Sequence, residues 1–259
     1  MRPAVSAFDA LEALARRAEA AGLDASTPPQ EKRIDGWLLR LSPGKAKRSR
    51  CVNALEAGST PLTELLARCR QAFADAGLPL IVRVTPFSQP ADLDARLAAL
   101  GWYSFDAADV MVRPDLDALP GAADIQSVEP TRYAEIVGAL RGSSAREIEA
   151  HVERLQQAPR PYQGFVLMHD GELAACGQVV VDGDIAGLFD VFTPAPMRRR
   201  GHAERLCGAL LRHAEQQGAR CAYLQVGAEN EVAKRLYARL GFSFAYRYHY
   251  RSDDPAAAD

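Results

Sequence analysis

The chain has 259 residues, of which 48% are hydrophobic and 25% are charged, with a formal net charge of −2 at pH 7. This length allows one large domain or two small domains, each with an apolar core. A pI near 6.2 gives no overall attraction to nucleic acid or anionic lipid, so the composition argues against both as partners.

The cysteines and histidines argue against a disulfide framework and a metal site. The five cysteines are an odd number without Cys-x-x-Cys spacing, and the five histidines show no His-x-x-x-His spacing. No apolar run reaches the roughly 20 residues of a membrane helix, and the N-terminus lacks the apolar core of a signal peptide. We therefore predict reduced thiols, no metal, no membrane partner and a cytoplasmic location.

Residues 1–113 show alternating helical and strand patterns. A first helix is capped by Ser6 or Asp9 and ends at Gly22. The predicted elements that follow are a hairpin (37–41 and 48–55), a helix (59–77), a strand (80–84), a short helix (91–100) and a strand (109–112). Residues 114–123 contain two prolines, a glycine and three alanines without periodicity, which predicts a linker.

Residues 124–254 predict a second run of elements, and residues 255–259 a disordered tail. The order is strand (124–128), helix (131–140), helix (145–157), then strands at 165–168, 172–181 and 185–193 with turns at Asp170-Gly171 and Asp182-Gly183. A helix from about Gly201, a strand into a turn at 224–230 and a final helix and strand complete the run.

A basic, glycine-containing segment links the strand at 185–193 to the following helix. It reads Thr193-Pro-Ala-Pro-Met-Arg-Arg-Arg-Gly-His-Ala203. First-turn N–H groups have no intrahelical partner, the helix dipole adds about half a positive charge, and Gly201 has no Cβ to keep an anion away. A solvated basic turn or a nucleic-acid patch is the alternative. The strand-to-helix context favours phosphate.

Two motifs resemble the GNAT superfamily of acetyl-CoA-dependent N-acetyltransferases. Arg198-Arg-Arg-Gly201-His-Ala203 is similar to its R/Q-x-x-G-x-G/A pyrophosphate loop. Asn230, followed by Ala233-Lys-Arg-Leu-Tyr237-Ala-Arg-Leu-Gly-Phe242, is similar to its N-x-x-A-x-x-L-Y-x-x-x-G-F element. The motifs stand in the right order and at the right separation, and the resemblance covers about residues 124–251.

The resemblance implies an α/β (α+β) GNAT fold, with a mixed, mostly antiparallel sheet flanked by helices. It implies acetyl-CoA as the acyl-donor substrate and direct transfer to a primary amine of a small molecule or peptide in a ternary complex. A backbone N–H within residues 191–193 would polarise the acetyl carbonyl, and Asn230 would bond the pantetheine arm. The implied cofactor contacts are Val191, Phe192, Thr193, Arg198, Arg199, Arg200, Gly201, His202, Ala203, Glu204, Asn230 and Tyr237.

The resemblance assigns Tyr237 as the acid that protonates the departing thiolate, although its helical pattern also suits a core aromatic. A phenol of pKa near 10 and a thiol near 8.5 make this transfer uphill by roughly 2 kcal/mol. For the base, some relatives carry Glu five residues before the asparagine. This chain has Gln225 there, which cannot take a proton. Asp190 and Glu229 remain, each equally suited to a structural role, and we take Asp190.

The two halves of the chain show an internal similarity. Aligning residues 81–85 with 223–227 places 95–102 on 235–242 with a two-residue adjustment, and both segments end in helix, Leu-Gly-aromatic and strand. We predict a tandem protein: a degenerate GNAT-like domain at 1–113, the linker at 114–123 and a catalytic domain at 124–254. Leu97 then takes the position of Tyr237. Two unrelated αβ units are the alternative.

A second function class also fits these motifs. A GNAT-like fold that binds CoA as a sensor or scaffold, without turnover, would carry the same phosphate loop. An oligomer is compatible with either class. No motif specifies the amine, because surface loops set the acceptor in such folds.

Overall fold

The computed structural model describes residues 7–119 and 123–258, so the predicted cap at Ser6, linker residues 120–122 and Asp259 lie outside it. The helices are α1 (Ala7–Ala25), α2 (Leu62–Asp75), α3 (Leu93–Ala99), α4 (Pro130–Arg141), α5 (Ala145–Gln157), α6 (His202–Gln216) and α7 (Glu231–Arg239). The strands are β1 (Glu31–Ile34), β2 (Trp37–Arg40), β3 (Val52–Ala54), β4 (Val82–Val84), β5 (Tyr103–Arg113), β6 (Gln126–Val128), β7 (Gln163–His169), β8 (Glu172–Asp182), β9 (Ile185–Phe192), β10 (Cys221–Gly227) and β11 (Ser243–Ser252).

The chain forms two compact units whose segments alternate along the sequence. The first comprises the described residues up to Ala25, Val110–Val226 and Asn230–Ala245; the second comprises Ser26–Asp109, Gly227–Glu229 and the residues from Tyr246 onward. The predicted linker at residues 114–123 divides the chain into two continuous domains, and it does not describe this alternation of segments. In the second unit, β4 pairs antiparallel with residues 249–251 of β11, and periodicity in the sequence does not reveal which strands pair.

In the first unit, strands follow the order β10-β9-β8-β7-β6. β9 and β10 are parallel, whereas the other three neighbouring pairs are antiparallel. α6 packs against one face through Leu206 and Leu210, in a core that includes Val179 and Leu224. α4 covers the other face, where Tyr133 is completely buried. This is the predicted α/β architecture with a mixed, mostly antiparallel strand arrangement and flanking helices.

In the second unit, strands follow the order β1-β2-β3-β4-β11. α2 and α3 pack on one face around Trp37, Phe73 and Leu97. β1 was not predicted, because three of its four residues are exposed and polar and it therefore lacks hydrophobic alternation. Residues 255–258, for which composition predicted disorder, form a 3-10 turn in which Ala257 is completely buried. That burial, rather than composition, orders the segment.

The two units contain the same helix ending, each within its own core. The amides of Gly101 and Trp102 bond the carbonyls of Ala98 and Leu97, at 2.9 and 3.1 Å. In the other unit, Gly241 and Phe242 bond Ala238 and Tyr237 in the same way, each at 3.0 Å. Both glycines adopt a left-handed φ, +82° and +83°. Leu97 and Tyr237 therefore occupy equivalent positions of two similar helix ends.

None of the helices within the described residues is long and apolar enough to cross a membrane.

Candidate active site

β9 and β10 stop pairing before they reach their carboxyl ends. Backbone pairing joins residues 185–188 to residues 221–224 and ends there, although β9 continues to Phe192 and β10 to Gly227. Two parallel strands that separate at their carboxyl ends leave room for a ligand between them. The segments after these strands lead into α6 and α7, so two helix N-termini follow the strand ends in the sequence.

A β-bulge lies near the carboxyl end of β9. Cys176 pairs with Phe192 and Gln178 with Phe189, so Gly177 alone lies opposite both Asp190 and Val191. Asp190 has a φ of +50°, outside the extended region. A bulge re-aims side chains and leaves a residue without a ladder partner. The bulge lies at residues 190–191, beside the segment predicted to hold the acetyl group.

The start of α6 has the geometry of an anion-binding loop. Gly201 is the N-cap with φ +78° and ψ 0°, and its carbonyl accepts the first helical bond from the amide of Arg205 at 3.1 Å. A Cβ at Gly201 would meet no heavy atom within 4 Å of it in the described protein. Gly201 is thus required by its backbone conformation, and open space lies beside it for a ligand.

The three consecutive arginines are all exposed. Nε of Arg198 donates to the carbonyl of Thr193 at 3.1 Å, and its guanidinium lies 6.0 Å from the ring centre of Phe192. Arg198 thereby ties the loop to the end of β9. Nη1 of Arg200 lies 3.8 Å from the sulfur of Met197. The contribution of these side chains to phosphate binding stays a prediction.

His202 differs from its exposed neighbours, because its side chain is buried. It is 3% exposed, and its ring centre lies 4.9 Å from that of His169. Neither ring nitrogen has a hydrogen-bond partner among the residues described. Burial first, and then His169, Arg205 and Arg200, lower the pKa of His202. The ring is therefore held neutral, and only the backbone N–H of His202 is available to an anion.

Asn230 caps α7 as predicted. Its Oδ1 accepts from the amide of Ala233 at 3.1 Å, and the residue is exposed. A side-chain amide that caps through its oxygen keeps two N–H donors for another partner. A capping role and a ligand contact are therefore compatible. On the same helix, Arg239 pairs with Glu204 of α6 at 2.8 Å, which links the two helices.

Tyr237 lies in the core on the α6 face of the sheet. Its side chain is nearly buried, and its ring meets Phe242 edge to face with centroids 6.1 Å apart. Burial, and secondarily Cys207, raise the pKa of Tyr237. The phenol therefore stays protonated at any working pH. Transfer of its proton to a thiolate costs more free energy than the ordinary pKa values imply.

Asp190 lies at the centre of a polar cluster on the opposite face. Nη1 of Arg141 is 3.0 Å from its Oδ1, and Nε2 of His151 is 3.5 Å from its Oδ2. Its backbone carbonyl accepts a hydrogen bond from the hydroxyl of Tyr133 at 3.1 Å. The predicted base is thus an ion-paired carboxylate, held by α4 and α5, and not an isolated one.

His151 was missed by the sequence reasoning, although α5 carries a signal for it. Residues 148, 151, 152 and 155 form one stripe, and His151 is its polar member. Burial is the main cause that lowers the pKa of His151 to about 4; Arg154 and Arg141 lower it further, and Asp190 opposes them. His151 is therefore neutral at pH 7.

Gln178 is a second polar residue that the sequence did not single out. It is completely buried, and neither its Oε1 nor its Nε2 has a hydrogen-bond partner in the described part of the chain. Its pairing partner on β7 is Gly164, where a Cβ would collide with the Tyr133 ring at 2.6 Å. Paired residues share a face, so the amide of Gln178 points to the Tyr133 side.

Asp190 and Val191 lie on opposite faces of β9. A Cβ at Gly177 would meet Leu206, Leu210 and Val191, which places Val191 on the α6 face with Tyr237. Asp190 faces α4 and α5 instead. The proposed acid and base therefore lie on the two sides of β9. Glu229, the other predicted base, is exposed, and Gln225 is intermediate.

Comparison with known proteins adds an independent finding. A family model described as "Probable histone acetyltransferase Rv0428c C-terminal" matches residues 13–251. The uncharacterized N-acetyltransferase YobR of Bacillus subtilis (strain 168) is 27% identical over 229 residues, covering 85% of this chain and 91% of YobR.

Solved structures share the fold. A GCN5-related N-acetyltransferase from Kribbella flavida is similar with a TM-score of 0.64 and 18% identity, over 93% of this chain and 95% of that one. A tandem GNAT protein from the clavulanic acid biosynthesis pathway is similar with a TM-score of 0.57 and 20% identity, over 94% of this chain and 92% of the other.

Proposed function

We propose that this chain moves an acetyl group from acetyl-CoA to a primary amine. The chain belongs to the family described as "Probable histone acetyltransferase Rv0428c C-terminal", and it is an N-acetyltransferase of the GNAT superfamily. Transfer is by direct attack in a ternary complex, without an acyl-enzyme. The acceptor is a small molecule or a peptide. The chain works in the cytoplasm.

The observation that carries the proposal is the separation of β9 and β10 ahead of two helix N-termini. Gly201 offers open space beside the N-terminus of α6, which suits a pyrophosphate. The exposed Asn230 keeps its N–H donors for an amide-bearing arm. The residues present therefore fit acetyl-CoA, which supplies the activated acetyl group. The contacts proposed for it are those within residues 191–193 and 198–204, together with Asn230 and Tyr237.

In this proposal, side chains on the two faces of β9 divide the chemistry. Tyr237, on the α6 face, donates a proton to the departing thiolate. A backbone N–H within residues 191–193 polarises the acetyl carbonyl. The Asp190 cluster on the α4 and α5 face receives the amine. Attack of the amine on the carbonyl carbon forms a tetrahedral intermediate, and the C–S bond then breaks as Tyr237 protonates the sulfur.

The second unit is proposed to be a degenerate copy. It repeats a parallel strand pair joined through a helix, β3-α2-β4, as β9-α6-β10 does. It carries Leu97, which has no proton to give, at the position equivalent to Tyr237. We therefore propose one catalytic site per chain.

The test is thiol release from acetyl-CoA in the presence of amines, with the acetylated product identified by mass. The panel holds polyamines, amino-acid amides and a lysine peptide like a histone tail, because the family description names histones. Acetyl transfer to at least one amine is the expected result. Binding of acetyl-CoA without transfer to any member would instead favour a CoA sensor or scaffold.

A further inference from the structure

We infer that His151 is a further catalytic residue: its Nδ1 takes the proton from the attacking amine, and Asp190 acts by orienting the imidazole. This inference rests on the proposed function and reassigns the proton acceptor within the same site.

The carboxylate of Asp190 is poorly placed to accept a proton itself. One oxygen is 3.0 Å from the guanidinium of Arg141, and the other is 3.5 Å from Nε2 of His151. Protonation would remove the negative charge from both contacts at once, and a guanidinium at that distance favours the ionised acid. The side chain of Asp190 is also only 20% exposed. These contacts suit a carboxylate that orients the imidazole of His151.

The negative charge of Asp190 favours one tautomer of His151. A carboxylate accepts hydrogen bonds and does not donate them, so the ring nitrogen that faces it carries the proton. That nitrogen is Nε2, which is buried. Nδ1 is therefore the unprotonated nitrogen, and it is not among the buried unpartnered atoms. At 3.5 Å this contact between Nε2 and Asp190 is an electrostatic one.

Burial and two neighbouring arginines keep the imidazole of His151 neutral. Arg141 of α4 and Arg154 of its own helix disfavour the imidazolium, whereas Asp190 of β9 favours it. Burial raises the pKa of the nearby Tyr133 and brings that of Cys176 to about 11, so both remain neutral. His151 is thus unprotonated throughout the neutral range, and Asp190 stabilises the imidazolium once it forms.

The proposed step balances in atoms and charge. The N–C bond forms and the C–S bond breaks. The amine nitrogen, more acidic after attack, loses a proton to Nδ1 of His151, while Tyr237 gives a proton to the departing sulfur. Solvent carries the proton from His151 back to Tyr237, leaving an amide and a thiol.

The first test is His151→Gln, whose amide N–H stands where Nε2–H does but which lacks the Nδ1 acceptor. At pH 7 we expect kcat to fall by roughly 10²–10⁴-fold, with little change in KM for acetyl-CoA. The deficit should shrink as pH rises, because hydroxide can replace the lost base. The acetyl-CoA-induced rise in melting temperature should be retained. His213→Gln, another helix histidine, serves as the control and should keep its activity.

Three outcomes would overturn the inference. Turnover of His151→Gln within a few-fold of wild type, while Asp190→Asn is impaired, would restore Asp190 as the base. A deficit that does not change with pH, together with a lost acetyl-CoA shift, would make His151 merely structural. A wild-type protein that acetylates no amine would remove the proposed function and this inference together.

A measurement without substrate tests the tautomer directly. Nitrogen-15 NMR of the wild-type protein at pH 7 should show His151 protonated at Nε2 and unprotonated at Nδ1, and Asp190→Asn should loosen this preference. A proton on Nδ1 would contradict the inference even if the His151 variants failed to fold.

Discussion

The pH dependence of stability should report directly on the burial of His151. In the unfolded chain this imidazole has a pKa near 6.5, whereas in the folded protein its pKa is about 4. The folded state therefore disfavours the charged ring, and the unfolded state binds more protons between these values. The stability contributed by the neutral ring is complete above about pH 6.5, falls as pH decreases, and is lost near pH 4.

The size of the effect follows from the shift. A difference of about 2.5 units at about 1.36 kcal/mol per unit amounts to about 3 kcal/mol at pH 4 and below, and to about 2 kcal/mol at pH 5. Gln does not titrate, so His151→Gln should lack this part of the pH dependence. His202 and His213 also have lowered pKa values, but they remain in both proteins.

The assay is urea unfolding of both proteins at pH 7.5, 5 and 4. We expect the wild type to lose stability relative to His151→Gln by about 2 kcal/mol between pH 7.5 and pH 5. If the difference between the two proteins stays constant over this range, His151 titrates normally in the fold, and the argument from its burial and its arginine neighbours is refuted.

Three further predictions concern the cofactor and the acid. Acetyl-CoA should raise the melting temperature; Gly201→Asp should abolish the rise by placing a carboxylate at the anion site, whereas Gly171→Asp, an equally open glycine with φ +80°, should keep it. Tyr237→Phe should lower kcat by roughly 10²–10⁴-fold with little change in melting temperature, and turnover within a few-fold would leave Tyr237 a core aromatic. Calorimetry should give one acetyl-CoA per chain, and a value near two would contradict a degenerate second unit.

The N-terminal caps of α6 and α7 were predictable because their chemistry is local. The αL glycine, the first-turn N–H groups of α6 and the cap at Asn230 all depend on residues a few positions apart, and the structure has Gly201 and Asn230 as helix caps. The helices were also predictable, with α5 at the predicted bounds. These features follow from 3.6-residue periodicity and capping rules that need no distant partner.

The polar cluster around Asp190 was not predictable, because it depends on contacts between residues far apart in the sequence. Arg141, His151 and Asp190 come from three elements, and only packing of α4 and α5 on the sheet brings them together. The polar position on the α5 stripe resembles an ordinary packed histidine until the carboxylate opposite it is known.

The sequence by itself determined the family motifs, the glycine cap of α6, most secondary elements and the mixed α/β class, because local backbone preferences and hydrophobic periods encode them. Tertiary structure decided the rest. An alternating pattern assumes a regular strand, so it cannot show the bulge at residues 190–191, where Asp190 faces α4 and α5 while Val191 faces α6. Nor can it show that β11 pairs with β4, because strand pairing depends on which edges the packed elements leave open.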